Sequence, residues 1–118
     1  MVPLRLKSRQ WVVDEEGKII IGEGRREIFE NIEKTGSINQ TAKVMKMSYK
    51  GVWSKIKATE NTLKMRVVET NKKRGSSLTE DGKALLKKYI ELKEQCLEAD
   101  DKIFRTIFLD HPLQDEKQ

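Results

Sequence analysis

The chain has 118 residues, 36% of them apolar and 36% charged, with a net charge of +5; that is enough for one modest domain plus an extended element, and too little for two independent cores. No run approaches the roughly eighteen apolar residues of a membrane span, and the start MVPLRLKSR has no apolar signal core. A single cysteine (Cys96) and a single histidine (His111) exclude an internal disulfide, a zinc set or a nucleophilic triad, so the expectation is a cytoplasmic protein with no catalytic residue, no metal and no cofactor.

The charge is unevenly spread. Residues 1 to 37 carry seven Lys/Arg against seven Asp/Glu, residues 38 to 77 ten against two, and residues 78 to 118 seven against ten. A basic middle between neutral and acidic flanks fits a polyanion docked on one face. A membrane surface is the competing polyanion, but the short capped helices read below lack the broad apolar face it needs.

In chain order, Leu4 to Val13 reads as a basic extended segment. Trp11-Val12-Val13 and Ile19-Ile20-Ile21, joined by Asp14-Glu15-Glu16-Gly17, predict a small hairpin that must lean on a larger core. Gly22-Glu23-Gly24 breaks the strand and opens a helix from about Arg25 to Lys34, with Ile28, Phe29 and Ile32 inward and Gly36 as its left-handed terminator. A phosphate loop at GEG is rejected, since no third glycine and no Lys-Ser/Thr ending follow.

Two short helical patterns then sit close together. Ser37 with Gln40 three residues on is a capping box for the first, whose apolar side is Ile38, Ala42 and Met45, with Thr41 beside them. Ser48 offers a new N-cap and a second helix starts at Tyr49, with Tyr49, Val52, Trp53, Ile56, Glu60 and Leu63 on one stripe. The opposite face reads Lys50, Gly51, Ser54, Lys55, Lys57, Ala58 and Asn61: cations for phosphates and guanine edges, with small residues that admit a groove. This is a helix-turn-helix pattern.

After it, Met65 to Thr70 predicts a strand, Asn71 to Ser76 a hairpin tip, and Ser77-Leu78-Thr79 a short return, which together form a wing. Its tip presents Lys72, Lys73 and Arg74, suited to backbone phosphates or the minor groove. From Thr79 one long helical pattern runs to about Phe108. Leu85, Tyr89, Leu92, Cys96, Ala99 and Ile103 recur at alternating four- and three-residue steps, a heptad seam that Leu86, Ile90, Leu97, Phe104 and Phe108 widen; so broad an apolar stripe predicts a homodimer with the long helices as interface, the alternative being a helix folded back on its own domain. The tail from Asp110 to Gln118 is polar and expected to fray.

GEGRREIFENIEKTGSINQTAKVMKMSYKGVW, with its TGSI at Thr35 to Ile38, Ala42-Lys43 and MSYK with the trailing Trp53, resembles the amino-terminal DNA-binding domain of the ModE family of molybdate-responsive transcription regulators. The resemblance runs from about Leu4 to about Phe108. It implies DNA binding and gives a pointer to molybdenum or anion metabolism. In that family sensing belongs to a carboxy-terminal molybdate-binding module, before which this chain ends, so any signal is expected from a separate effector-sensing protein or from oxidation of Cys96. The family's wings are longer and richer in glycine than this one.

The expectation is therefore a mainly α protein with small β: a winged helix-turn-helix over residues 1–78 with an N-terminal β-hairpin, a long dimerisation helix over 79–109, and a tail over 110–118. Its partners are double-stranded DNA and a second copy of itself, with no membrane. Lys50, Ser54 and Lys55 are placed nearest the base edges. Ser37, Asn39, Gln40, Ser48 and Tyr49 lie where the helices start, while Lys57, Lys72, Lys73 and Arg74 supply backbone charge. The alternative is a winged-helix interaction module that docks a protein and does not bind DNA.

Overall fold

The computed structural model describes residues 2–111 and 113. Strands β1 (Val12–Val13) and β2 (Ile19–Ile21) form the first hairpin. Three helices follow, α1 (Glu23–Thr35), α2 (Ile38–Met45) and α3 (Tyr49–Leu63), then the second hairpin, β3 (Val68–Asn71) with β4 (Gly75–Leu78). Helix α4 (Glu80–Phe104) closes the chain and passes into one π-type turn, Arg105–Leu109. The architecture is the expected winged helix-turn-helix with an N-terminal hairpin and a long terminal helix.

Local chemistry accounts for most boundaries. Asp14 Oδ1 accepts from the N–H groups of Glu16 at 2.9 Å and Lys18 at 2.8 Å, which fixes the first turn. Helix α1 starts at Glu23, two residues before the expected Arg25, because an acidic residue there gains from the helix N-terminus and from Arg26 and Lys93 at 3.7 and 2.8 Å. It ends on Gly36 at φ 70°, whose N–H reaches Ile32 O at 2.8 Å. The capping box at Ser37 is half made. Gln40 N donates to Ser37 Oγ at 3.0 Å, but the Ser37 N–H is taken by Thr35 Oγ1 at 3.2 Å, so no side chain returns from Gln40.

The core is apolar and lies between α1, α3, both hairpins and the first turns of α4, with Ile21, Phe29, Ile32, Val52, Ile56 and Val68 fully enclosed. Tyr49 departs from the expected stripe, being 53% exposed where α3 begins. Thr59, which apolar periodicity does not flag, is buried and donates to Ile20 O at 2.7 Å, tying α3 to β2. Glu60 is on the stripe as expected, 6% exposed, and its role is polar. One carboxylate oxygen accepts from Val67 N at 2.9 Å and Val68 N at 3.2 Å, with Lys57 and Arg66 at 3.5 and 3.6 Å.

That anchor explains why the wing's first strand is shorter than Met65 to Thr70. Val67 N is held by Glu60 and Arg66 O by the Thr79 hydroxyl at 2.7 Å, so beyond the Val68–Leu78 pair only one bond crosses the hairpin, Thr79 N to Val67 O at 3.0 Å. Pairing starts only at Val68, opposite Leu78. The tip is also tighter than expected, since Asn71 pairs with Gly75 and leaves only Lys72, Lys73 and Arg74 in the turn. Gly75, at φ 84°, lies so close to the Gly36 carbonyl that a Cβ would collide with it. Ser76 N donates to that same carbonyl at 2.9 Å, so the wing is bolted to the α1–α2 corner.

Helix α4 begins on the Thr79 cap, whose Oγ1 accepts from Gly82 N at 3.0 Å. Its heptad seam is divided by the fold. Tyr89, expected at the dimer interface, is 1% exposed in the domain's own core, and its hydroxyl shares its one proton between Gln10 O at 2.7 Å and Glu23 Oε2 at 2.8 Å. Leu85 also packs against that core. The basic N-terminal segment then runs along α4, Ser8 Oγ donating to Asp100 Oδ2 at 2.9 Å. What remains uncovered is the outer half, where Leu92, Leu97, Ala99 and Ile103 are exposed and Cys96 half-buried. The radius of gyration is 19.0 Å, against about 13.5 Å for a compact chain of this length; the projecting helix makes the difference. Most of the tail expected to fray lies outside the described residues.

The Glu23–Tyr89–Lys93 cluster ties the N-terminal segment, α1 and α4 together, and it makes stability pH-dependent. Burial pushes the Glu23 carboxyl up, but hydrogen bonds from Lys93 and Tyr89 and the charges of Lys93 and Arg26 outweigh it, so its pKa lies below the ordinary 4.5. Burial and the Glu23 carboxylate push the Tyr89 phenol up to about 12. The lowered carboxylate contributes stability that is present above its unfolded pKa and lost as pH falls through the folded one; the raised phenol contributes stability lost as pH climbs past 10 toward 12. Urea midpoints of the wild type should therefore fall at both extremes. Glu23→Gln should flatten the acid limb and Tyr89→Phe the alkaline one.

Candidate nucleic-acid interface

The exposed face of α3 is set by its buried one. With Val52, Ile56, Thr59 and Glu60 inward, Lys50, Ser54, Lys57 and Asn61 fall at four-, three- and four-residue steps on the far side, and all four are exposed. Gly51 and Ala58 are half-buried beside them. Gly51 also has a local reason to lack a side chain: its N–H donates to Ser48 Oγ at 2.9 Å, and a Cβ would stand 3.0 Å from that oxygen.

The remaining expected residues fall into three groups. Ser37 and Ser48 are N-caps whose hydroxyls accept from the chain and keep a proton to donate outward. Asn39 and Tyr49 border one shallow groove of about 240 Å³ with Gly36, Ser37, Gly75 and Ser76, and Gln40 is exposed one residue on. The starts of α2 and α3 and the base of the wing therefore meet on one side. Lys72, Lys73 and Arg74 are exposed on a turn that Asn71 Oδ1 holds by accepting from Lys73 N at 2.8 Å and Arg74 N at 3.2 Å.

Two lysines stand apart from the rest. Lys57 is partly committed, its ammonium 3.5 Å from Glu60 and 5.5 Å from the centroid of the Trp53 ring. Lys55 sits on the flank of α3, where its side chain lines a cavity with Trp11 and Met47. Among the described residues Lys50, Lys55, Lys72, Lys73 and Arg74 have no carboxylate within ion-pair distance, so their charge is available to an outside anion. Sequence reasoning missed Lys46 in the turn between α2 and α3. It is exposed and holds a left-handed conformation, φ 56°, with its N–H on Lys43 O at 3.2 Å. A lysine there carries no turn signal of the kind Gly or Asn would give.

The remaining chemistry is sparse. Among the described residues no three His, Cys, Asp or Glu side chains gather as a metal site would require, and no helix is long and apolar enough to cross a membrane.

Comparison with known proteins places this geometry. The model of the family described as bacterial regulatory helix-turn-helix protein, lysR family, matches residues 25–83, from α1 into the first turn of α4. The molybdenum transport protein ModE of Azotobacter vinelandii is 32% identical over 87 residues, which cover 70% of this chain and 32% of that protein. The chain thus spans about a third of the length of the curated relative it matches. Among solved structures, a CbnR DBD–DNA complex aligns with a TM-score of 0.58 at 21% identity, covering 72% of this chain and 97% of that one. CbnR itself, a LysR family transcriptional regulator, aligns at 0.56 and 22% identity over 70% of this chain and 28% of its own, as does full-length CbnR complexed with its target DNA. At such identities the likeness to the CbnR structures is one of fold.

Proposed function

The chain belongs to the lysR family of bacterial regulatory helix-turn-helix proteins, and on that premise we propose that it is a dimeric, sequence-specific DNA-binding transcription regulator acting in the cytoplasm. The observation that carries this reading is that the capped starts of α2 and α3 meet the base of the wing along one groove, with Lys50 in the first turn of α3 and Lys72, Lys73 and Arg74 at the wing tip exposed and, among the described residues, without a carboxylate partner. In this reading α3 enters the major groove with Lys50 and Ser54 at base edges and Lys55 toward its flank. Ser37, Asn39, Gln40, Ser48 and Tyr49 hold phosphates beside it, and Lys57, Lys72, Lys73 and Arg74 add backbone charge.

Residues 1–78 then form the DNA-binding unit. Residues 79–109 form the dimer helix, and its interface is the uncovered half: Leu92, Cys96, Ala99 and Ile103, with Leu97 beside them. A two-fold dimer calls for an inverted-repeat site with half-sites about 34 Å apart. The kinship with ModE supports a link to molybdenum or anion metabolism.

Duplex binding should weaken log-linearly with salt, and a site selected from random DNA should outcompete random duplex. A shallow salt slope with no selectable site would instead support a protein-docking module. Sedimentation should give a dimer that Ile103→Arg converts to a folded monomer; a wild-type monomer would refute the helix interface.

A further inference from the structure

A second feature lies on the flank of α3 and shares Lys55 with the surface assigned to DNA. A cavity of about 230 Å³ opens between the N-terminal hairpin, the first turn of α1 and the flank of α3. Trp11, Ile19, Ile28, Met45 and Met47 make its walls apolar, and among the described residues its only charged lining groups are two cations, Arg25 and Lys55.

Arg25 is the anomaly. It is half-buried, and burial draws its pKa down. Its Nη1 donates to neutral oxygens, the Ile19 carbonyl and the Thr59 hydroxyl, the latter at 3.1 Å. Among the described residues no carboxylate comes within ion-pair distance of it. A partly desolvated guanidinium without a counter-charge is costly, and an anion relieves that cost.

The walls restrict which anion. A strongly hydrated oxyanion gains nothing from Trp, Ile and Met surfaces. A ring does: an apolar cavity of about 150 Å³ suffices for benzene, so this one has room for a single ring or short branched chain and a carboxylate.

We propose that this cavity binds a small monocarboxylate with an apolar body, a single aromatic ring being the best fit, with the body against Trp11, Met45 and Met47 and the carboxylate held by Arg25 and Lys55. Because Lys55 belongs to α3, occupancy takes up a cation of that helix, but the site does not depend on the DNA reading.

Calorimetry of the full chain with phenylacetate, in the absence of DNA, is the test. Saturable binding at one site is expected with a dissociation constant of about 1 mM or tighter. Acetate, which lacks the body, benzyl alcohol, which lacks the charge, and molybdate, which offers only charge, should each bind at least about tenfold more weakly. Lys55→Gln and Arg25→Gln should each weaken phenylacetate about tenfold. Trp11→Ala should weaken phenylacetate about tenfold while leaving the circular dichroism spectrum unchanged, since it removes a wall of the cavity whose side chain is otherwise exposed. Should Arg25→Gln fail to fold, Lys55→Gln and Trp11→Ala decide. Absence of saturable phenylacetate binding, equal binding of any of the three control ligands, or unchanged affinity in Trp11→Ala and Lys55→Gln would overturn the proposal. Each of these results leaves the DNA reading as it stands.

Discussion

Replacing Lys72, Lys73 and Arg74 together by alanine is expected to lower the slope of log affinity against log salt by about 2.7, at roughly 0.9 for each phosphate that is no longer neutralised. These three side chains project from a turn held by Asn71 and bear on no core residue, so the fold should be untouched. The loss should be nearly the same on a selected site and on random duplex, because phosphates carry no sequence information. Lys50→Ala should behave in the opposite way. A side chain at a base edge is worth about 1–3 kcal/mol of discrimination, so binding to the selected site should fall by roughly fivefold to 150-fold while random-duplex binding changes little. Titrations of both variants on both duplexes at several salt concentrations separate the two roles. If the wing variant loses specificity and Lys50→Ala loses only salt slope, the assignments of the two elements are reversed.

Replacing Glu60 by alanine should destabilise the protein by about 3 kcal/mol or more, the largest stability change expected for any single polar side chain here. The reason is the company that carboxylate keeps. It is 6% exposed and accepts from two buried N–H groups at the root of β3, and alanine leaves both without an acceptor. Lys57→Ala removes only a cation that is 56% exposed, so its cost should stay below about 1 kcal/mol. Urea denaturation of the two variants checks the contrast. Hydrogen exchange adds a local readout, since the Val67 and Val68 amides should lose protection in Glu60→Ala before the α1 amides do. Equal stabilities of the two variants would mean that the wing is held by its pairing with β4 and not by α3.

The DNA-facing helices and the Glu60 anchor differ in how far a sequence can announce them. The helix-turn-helix was legible because its signals are local: Ser37 and Ser48 cap the helices three residues away, and Gly36 closes α1. The cations of α3 were legible because a 3.6-residue period sorts a helix into faces once the apolar side is recognised. Spacing alone places Glu60 on the inward stripe. Its purpose could not be read there, because the N–H groups it accepts from lie seven and eight residues on, across a left-handed corner at Lys64.

Tyr89 makes the same point for the long helix. Its heptad position fits an interface as well as a core, and periodicity cannot say which surface arrives to cover it. Gln10 and Glu23, 79 and 66 residues away, decided the matter by reaching its hydroxyl. The pairing of Arg25 and Lys55 in one cavity is likewise invisible in a string where thirty residues separate them. By itself the sequence determined the family of folds, the order of the elements and the charged face of α3, since caps, turns and periodicity act within a few residues of their cause. Only the tertiary structure decided how α4 is shared between core and outer surface, what holds the wing, and which cations are free, because those depend on contacts whose partners are chosen when distant segments pack together.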